Sequence, residues 1–237
     1  MSSEEGYRSA HIAEYMKRPK VSEFRHLQKA AGGSIRLLTL APEWPGSARF
    51  NSADAASGVG ISLCQTNSEL IEDAIRACSR MCAHLRSGCP MLMPRHDNII
   101  QRLLARDEVA TSIIPDGIHI PSRVLKNFLR AEPRSRIVIT TNVEATAGAP
   151  PGPFFMQRRK KMVRCVFDRK GRGAFSGHSG HFFGSPLTLD KGVVNFSRWT
   201  EFAAKAAWDW ASHRSAEILG IHLPRIEVPL SPESGSA

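Results

Sequence analysis

The chain lacks any apolar run near the roughly 18–20 residues that a membrane-spanning helix needs, so nothing in it reads as a span. Its opening residues, MSSEEGYRSAHIAEYMKRP, are polar and acidic where a secretory signal is basic and then apolar. Cysteine is scarce and unframed. Five residues, an odd number without a C-x₂-C pair, argue against both a disulfide scaffold and a zinc ribbon and suit a reducing cytosol. Acidic residues are outnumbered, 22 Asp and Glu against 32 Lys and Arg, for a net charge of +10. No zinc-finger spacing, RNP-type aromatic motif or helix-turn-helix accompanies that surplus, so it speaks to solubility and encounter rather than to nucleic-acid recognition. The one dense basic cluster, Arg158-Arg159-Lys160-Lys161 with Arg164, reads as a solvated turn or strand. These absences leave a soluble, cytoplasmic protein, with neither a membrane nor a nucleic acid expected as partner.

What is present is an ordinary globular composition, 42% hydrophobic and 23% charged over 237 residues, long enough to bury a substantial core. Residues 1–20 read as a polar lead-in. Ser22 to Ala31 forms an amphipathic helix with Phe24, Leu27 and Gln28 facing inward, closed by Gly32-Gly33. Ile35–Leu40 and Gly60–Leu63 read as buried strands, and Asn67 or Ser68 caps a helix running to about Arg80. Met81–Leu85, Val109–Ile114 and Arg136–Thr141 follow as strands, with helices over Asn98–Arg106 and Ser122–Arg130 between them. Strand, turn and amphipathic helix recur at the spacing of βα units, which predicts a parallel sheet.

In such folds chemistry gathers at the carboxyl ends of the strands. The residues just past those ends are Glu43, Gln65, His84, Asp116 with His119, and Asn142. Beyond Asn142 the character changes. Ala147–Pro153 is a Pro/Gly-rich connection, residues 154–185 read as short antiparallel strands with a hairpin turn at Asp168–Gly171, and Leu189–Ile218 is helical in two pieces.

The ordered series Thr39-Leu40-Ala41-Pro42-Glu43, Ser62-Leu63-Cys64-Gln65-Thr66, Ala83-His84-Leu85, Asp116-Gly117-Ile118-His119 and Thr140-Thr141-Asn142 resembles the N-acetylglucosamine-6-phosphate deacetylases of the amidohydrolase superfamily. Ala147-Gly148-x-Pro150-x-Gly152, Gly184-Ser185-x-Leu187-Thr188-Leu189-Asp190 and Ala211-Ser212 leading to Ala216–Gly220 continue the resemblance. It covers roughly residues 7–221. It implies a (β/α)₈ barrel with a small β domain, dimeric, that hydrolyses the acetamide of an amino-sugar phosphate. A divalent metal, often zinc, would activate a water there, and an Asp after the last barrel strand would shuttle the proton.

Against that pattern the chain departs at several positions. The Glu-bearing metal motif is absent, Glu4 and Glu5 standing in the wrong context. Gln65 occupies one metal-His position, while His84 matches the other. Asn142 stands where the resemblance places the catalytic Asp, and an amide has no proton to exchange near neutrality. Arg86-Ser87-Gly88 replaces a substrate-binding Asn segment, whereas His119 and the phosphate-contacting candidate Arg95 remain. The fold expected is α/β, a partial TIM-type barrel of about the last five βα units. Residues 1–153 make the incomplete barrel, 154–188 a β-rich remnant, 189–221 the packing helices and 222–237 a mobile tail. The two outer strands are expected to present unpaired edges.

Cys78, Cys82 and Cys89 around His84, with Cys78 and Cys82 on one helix face, read as buried thiols rather than a metal cluster. His178-Ser179-Gly180-His181 reads as a surface turn, and Trp199, Trp208 and Trp210 as packing residues. His11 and His96 stand near the cleft without an assigned role, and Asp116 is expected to orient His119 and the neighbouring backbone. The functional expectation is a catalytically degraded deacetylase relative. The alternatives are a non-catalytic sugar-phosphate-binding remnant, or one subunit of a split deacetylase completed by an N-terminal fragment or by a second copy.

Overall fold

A computed structural model describes residues 1–9, 11–55, 57–66, 69–85, 87–90, 92–145, 147–158, 161–168, 172–175 and 184–224. The first unit alternates strand and helix. α1 (Val21–Ala30) precedes β1 (Leu37–Leu40), then come α2 (Ser47–Ala55), β2 (Gly60–Leu63), α3 (Ile71–Arg76) and β3 (Ser79–Cys82). α4 (Ile99–Leu104), β4 (Ala110–Ile113), α5 (Ser122–Ala131) and β5 (Ile137–Ile139) complete it. All five strands are parallel and lie in the order β1-β2-β3-β4-β5. Every crossover therefore advances in one direction, and right-handed connections then put the intervening helices on one face of the sheet. A doubly wound sheet would reverse order at a switch point. The winding is that of barrel strands, as expected, and among the described strands β1 and β5 each pair on one side only.

β4 (Ala-Thr-Ser-Ile) and β5 (Ile-Val-Ile) are buried along their whole length, as strands covered on both faces are, whereas β3 carries an exposed Arg80 and β1 is only partly buried. Ile113, Ile137 and Ile139 are essentially inaccessible and join Leu63, Leu103, Leu125 and Phe196 in the main core. A second cluster, Phe24, Leu40, Phe50, Val59 and Ile61, sits under α1 and α2, with the Phe24 and Phe50 rings edge to face at 6.0 Å. Beyond β5 an antiparallel sheet is formed by β6 (Gly152–Arg158), β7 (Lys161–Phe167) and β8 (Gly173–Phe175). α6 (Leu189–Thr200), α7 (Ala204–Ala211) and α8 (His213–Ile218) follow. A cavity of about 330 Å³, lined by Leu37, Met81, Ser112, Val138, Ser215 and Ile218 among others, lies between the inner sheet face and α8. Among the described residues no helix is long and apolar enough to cross a membrane.

Several local expectations are corrected. α2 went unread because Ser47-Ala-Arg-Phe-Asn-Ser-Ala-Asp-Ala55 has little apolar periodicity. Its Phe50 and Asn51 are nonetheless buried, and Asn51 Nδ2 donates to Ser79 Oγ at 3.1 Å. α3 ends at Arg76, not Arg80, because Cys78 turns into the left-handed region (φ 74°) and β3 starts at Ser79. Cys78 and Cys82 thus share no helix. One extra residue, Arg80, interrupts the β2–β3 register, so the apolar run Met81–Leu85 overshoots the true strand. Leu27 is 52% exposed. Gln28 instead clasps both backbone groups of Ile35, at 3.0 and 2.9 Å. The lead-in is not a polar fringe, since Ser2 and Tyr7 are buried. The last helical stretch has three pieces, divided at Glu201 (φ 65°) and Ser212. The Asn67/Ser68 cap, part of the Asp168–Gly171 turn, Arg159, Lys160, His178–His181 and nearly all of the 222–237 tail lie outside the described residues.

Glu132, just after α5, is buried beneath the sheet. Thr111 Oγ1 donates to its Oε1 at 3.0 Å, while Oε2 has no partner among the described residues. Burial pushes its carboxyl from 4.5 up to about 7. Between those two values the unfolded chain has released this proton and the folded chain keeps it, so stability falls as pH rises through that window. Glu132→Gln should therefore add about 3 kcal/mol of stability at pH 8, raising the melting temperature there, and leave it unchanged at pH 4. Thermal melts at the two pH values check this.

Candidate functional site

Parallel strands bring their carboxyl ends to one rim. At the end of β2 sits Gln65, 1% exposed. Its Nε2 donates to the Ala83 carbonyl at 2.7 Å, and its Oε1 accepts from the Cys89 thiol at 3.1 Å. Cys82 Sγ lies 3.5 Å from the same Nε2. Gly88 permits this packing, because a Cβ there would fall 2.9 Å from Gln65 Cγ. The Gln65 amide thus stitches the end of β2 to β3 and to the turn that follows it. Burial raises the Cys82 and Cys64 thiols, keeping both protonated at neutral pH.

His84 follows β3 in a strained conformation (φ 27°), its N–H donating to Ser112 Oγ at 2.6 Å. Its Nδ1 and the Ser87 Oγ are buried without hydrogen-bond partners among the described residues. Burial lowers the His84 imidazole, and the positive charges that His119 and His11 can carry act in the same direction. His11, which sequence reasoning left without a role, therefore lies within electrostatic reach of the rim. At the end of β1, Glu43 Oε2 accepts from Thr66 Oγ1 at 2.7 Å.

Beyond β4, Asp116 Oδ1 accepts the Ile118 and His119 N–H groups, both at 2.8 Å, and Oδ2 meets His119 Nδ1 at 2.5 Å. The two side chains are each 4% exposed. Burial pushes the Asp116 carboxyl up, but these hydrogen bonds and the adjacent imidazole outweigh it and hold it below the ordinary range. Gly117 makes the turn in the left-handed region (φ 74°), where a Cβ would stand 3.1 Å from the Trp199 ring. Ser185 Oγ donates to Asp116 Oδ2 at 3.1 Å, and its backbone N–H donates to the Asn142 carbonyl at 2.8 Å. Asn142 takes a left-handed conformation (φ 51°) and is exposed, a conformation that Asn tolerates better than most residues.

The rim thus brings together Gln65, Gly88 and the Cys82–Cys89 turn on one side, and Asp116, His119, Ser185 and Asn142 on the other, with His84 between them in electrostatic reach of His119. Arg95 is exposed on the stretch before α4, with no hydrogen bond or ion pair to these groups. Arg86 lies outside the described residues. Ser185 belongs to the Gly184-Ser185-x-Leu187 motif but not to the site residues expected from sequence. Its place before the Leu187-Thr188-Leu189-Asp190 run was the available signal.

A hydrolytic zinc centre takes about three donors from imidazole, thiolate and carboxylate, plus an open position. His84 supplies one imidazole, the Gln65 amide is engaged at both ends, and the Cys82 thiol is held protonated. Among the described residues no group of three or more His, Cys, Asp or Glu could hold a metal ion. The side chains present do not fit the divalent metal that the resemblance implies.

This is the α/β, barrel-type class of protein with its polar groups at the carboxyl rim. No family model matches the chain. It is 26% identical over 210 residues to the N-acetylglucosamine-6-phosphate deacetylase of Bacillus subtilis, covering 88% of this chain and 51% of that protein. The Vibrio furnissii deacetylase is 26% identical over 216 residues, covering 90% and 52%. The Mycobacterium smegmatis deacetylase, solved as a D267A mutant in complex with N-acetyl-D-glucosamine-6-phosphate, superposes with a TM-score of 0.79 at 19% identity, covering 91% of this chain and 56% of that one. The chain is similar to these N-acetylglucosamine-6-phosphate deacetylases and spans about half the length of the curated relatives it matches.

Gln65→Ala should cost about 3 kcal/mol, because it opens a cavity and strands the Ala83 carbonyl and Cys89 thiol. Urea unfolding should show the midpoint falling with an unchanged slope.

Proposed function

We propose that this chain is a sugar-phosphate-binding relative of the deacetylases in which the hydrolytic half of the site has been dismantled. The observation that carries the reading is Gln65, a carboxamide committed at both ends to protein groups where the resemblance calls for a metal-binding imidazole. Cleaving an acetamide requires an activated water and a group that passes a proton to the leaving amine. Asn142 can orient a water through its amide but cannot take the proton. His84 alone does not make up the difference.

Recognition is supported better than hydrolysis. The Asp116–His119 pair is intact, buried and oriented, and an N-acetylated amino-sugar phosphate is the ligand class that the solved relative carries. The same reading makes it a cytoplasmic protein. A second reading is favoured by the open sheet. β1 and β5 each pair on one side only among the described strands, and the chain corresponds to about half of its relatives. A complementing polypeptide pairing with those edges would make this chain one part of a two-part deacetylase. A second copy could also cover them as a homodimer.

The purified chain should release no acetate from N-acetylglucosamine 6-phosphate, with or without added zinc, and Asn142→Asp alone should not change that. Turnover that disappears in His84→Ala would overturn the reading. The same sugar phosphate should raise the melting temperature, since a ligand at 100 times its Kd contributes about 2.7 kcal/mol to the native state.

A further inference from the structure

Ser185 lies between β8 and α6, far along the chain from the groups it joins, and is fully buried. Its hydroxyl has two duties, donating to Asp116 Oδ2 and accepting the Leu187 N–H, both at 3.1 Å. Its backbone has two more. The N–H donates to the Asn142 carbonyl at 2.8 Å, and the carbonyl accepts the Glu144 N–H at 2.9 Å. One residue therefore connects the turn after β5 to the carboxylate after β4.

That carboxylate is saturated. Oδ1 receives two backbone N–H groups, and Oδ2 receives His119 Nδ1 and the Ser185 hydroxyl. An ionised carboxylate only accepts hydrogen bonds, so the hydrogen it shares with His119 belongs to Nδ1. In the neutral ring the lone pair then sits on Nε2. Without Ser185, Oδ2 would keep only His119, and the carboxyl, still pinned at Oδ1 by two backbone N–H groups, could pivot about that point and tilt the imidazole with it. We infer that Ser185 is a positioning residue that acts through Asp116. It confines His119 to the Nδ1–H tautomer and one ring orientation, and it keeps the Asn142 turn in register with that ring.

The functional consequence rests on the binding reading above. A single, fixed ring orientation of His119 would give the rim one defined imidazole face toward the sugar phosphate. The tautomer itself does not depend on any ligand, which separates the two tests.

The experiment is ¹⁵N-resolved histidine NMR on the whole folded chain at alkaline pH. Wild-type His119 should show the Nδ1–H form in about ten-fold excess or more, the worth of one charge-assisted hydrogen bond. Ser185→Ala should cut that excess several-fold, and Ser185→Thr, which keeps the hydroxyl, should restore it. An Nε2–H signal from the wild-type protein would overturn the inference without any variant having to fold. So would a folded Ser185→Ala protein that keeps the full excess, or a folded Ser185→Thr protein that does not regain it. A melting temperature unmoved by N-acetylglucosamine 6-phosphate, beside the expected spectra, would overturn the binding reading and leave the positioning role standing.

Discussion

A parallel ladder of strands sends every carboxyl end to the same rim, and the rest of this molecule depends on that geometry. Consecutive order, β1 through β5, keeps all connecting helices on one side. The loops that leave the strands then have a single place to meet. Glu43, Gln65, His84, Asp116 and Asn142 share that rim though up to a hundred residues separate them along the chain.

The rim divides into two networks with different chemistry. Around Gln65 the groups are neutral: an amide, a peptide carbonyl and thiols that burial keeps protonated. Such a network is worth having because each buried polar atom would cost about 1–3 kcal/mol if left unpaired. Its partners are used up in holding strand ends together. Around Asp116 a charge is retained, because the His119 imidazole and the Ile118 and His119 N–H groups outweigh the burial that would neutralise it. The rim therefore carries a buried charge at Asp116 and only neutral partners at Gln65.

Much of the scaffold was legible from residues alone, for identifiable reasons. Ile137–Ile139 and Gly60–Leu63 lie within β-branched or apolar runs, α4 has its Asn98 cap, and α5 follows Pro121 with a strong apolar stripe. α2 was invisible because its burial rests on Phe50 and a polar Asn51, a pattern without helical period. β3 was displaced because the extra residue at Arg80 is set by pairing with β2, not by β3's own composition. Leu27 faces solvent despite its apolar side chain, because the contact from α1 to the strand that follows is made by Gln28 bridging to Ile35.

Residue chemistry alone determined that Gln65 and Asn142 are carboxamides and that His84 and His119 remain, because donor type is written in the side chain itself. It also determined the βα rhythm, since hydrophobic period is a local property of the chain. Only the tertiary structure decided that the Gln65 amide is spent on Ala83 and Cys89, and that Ser185 reaches Asp116 from 69 positions away. Hydrogen-bond partners are chosen by which strand ends the fold sets side by side, and no local pattern carries that information.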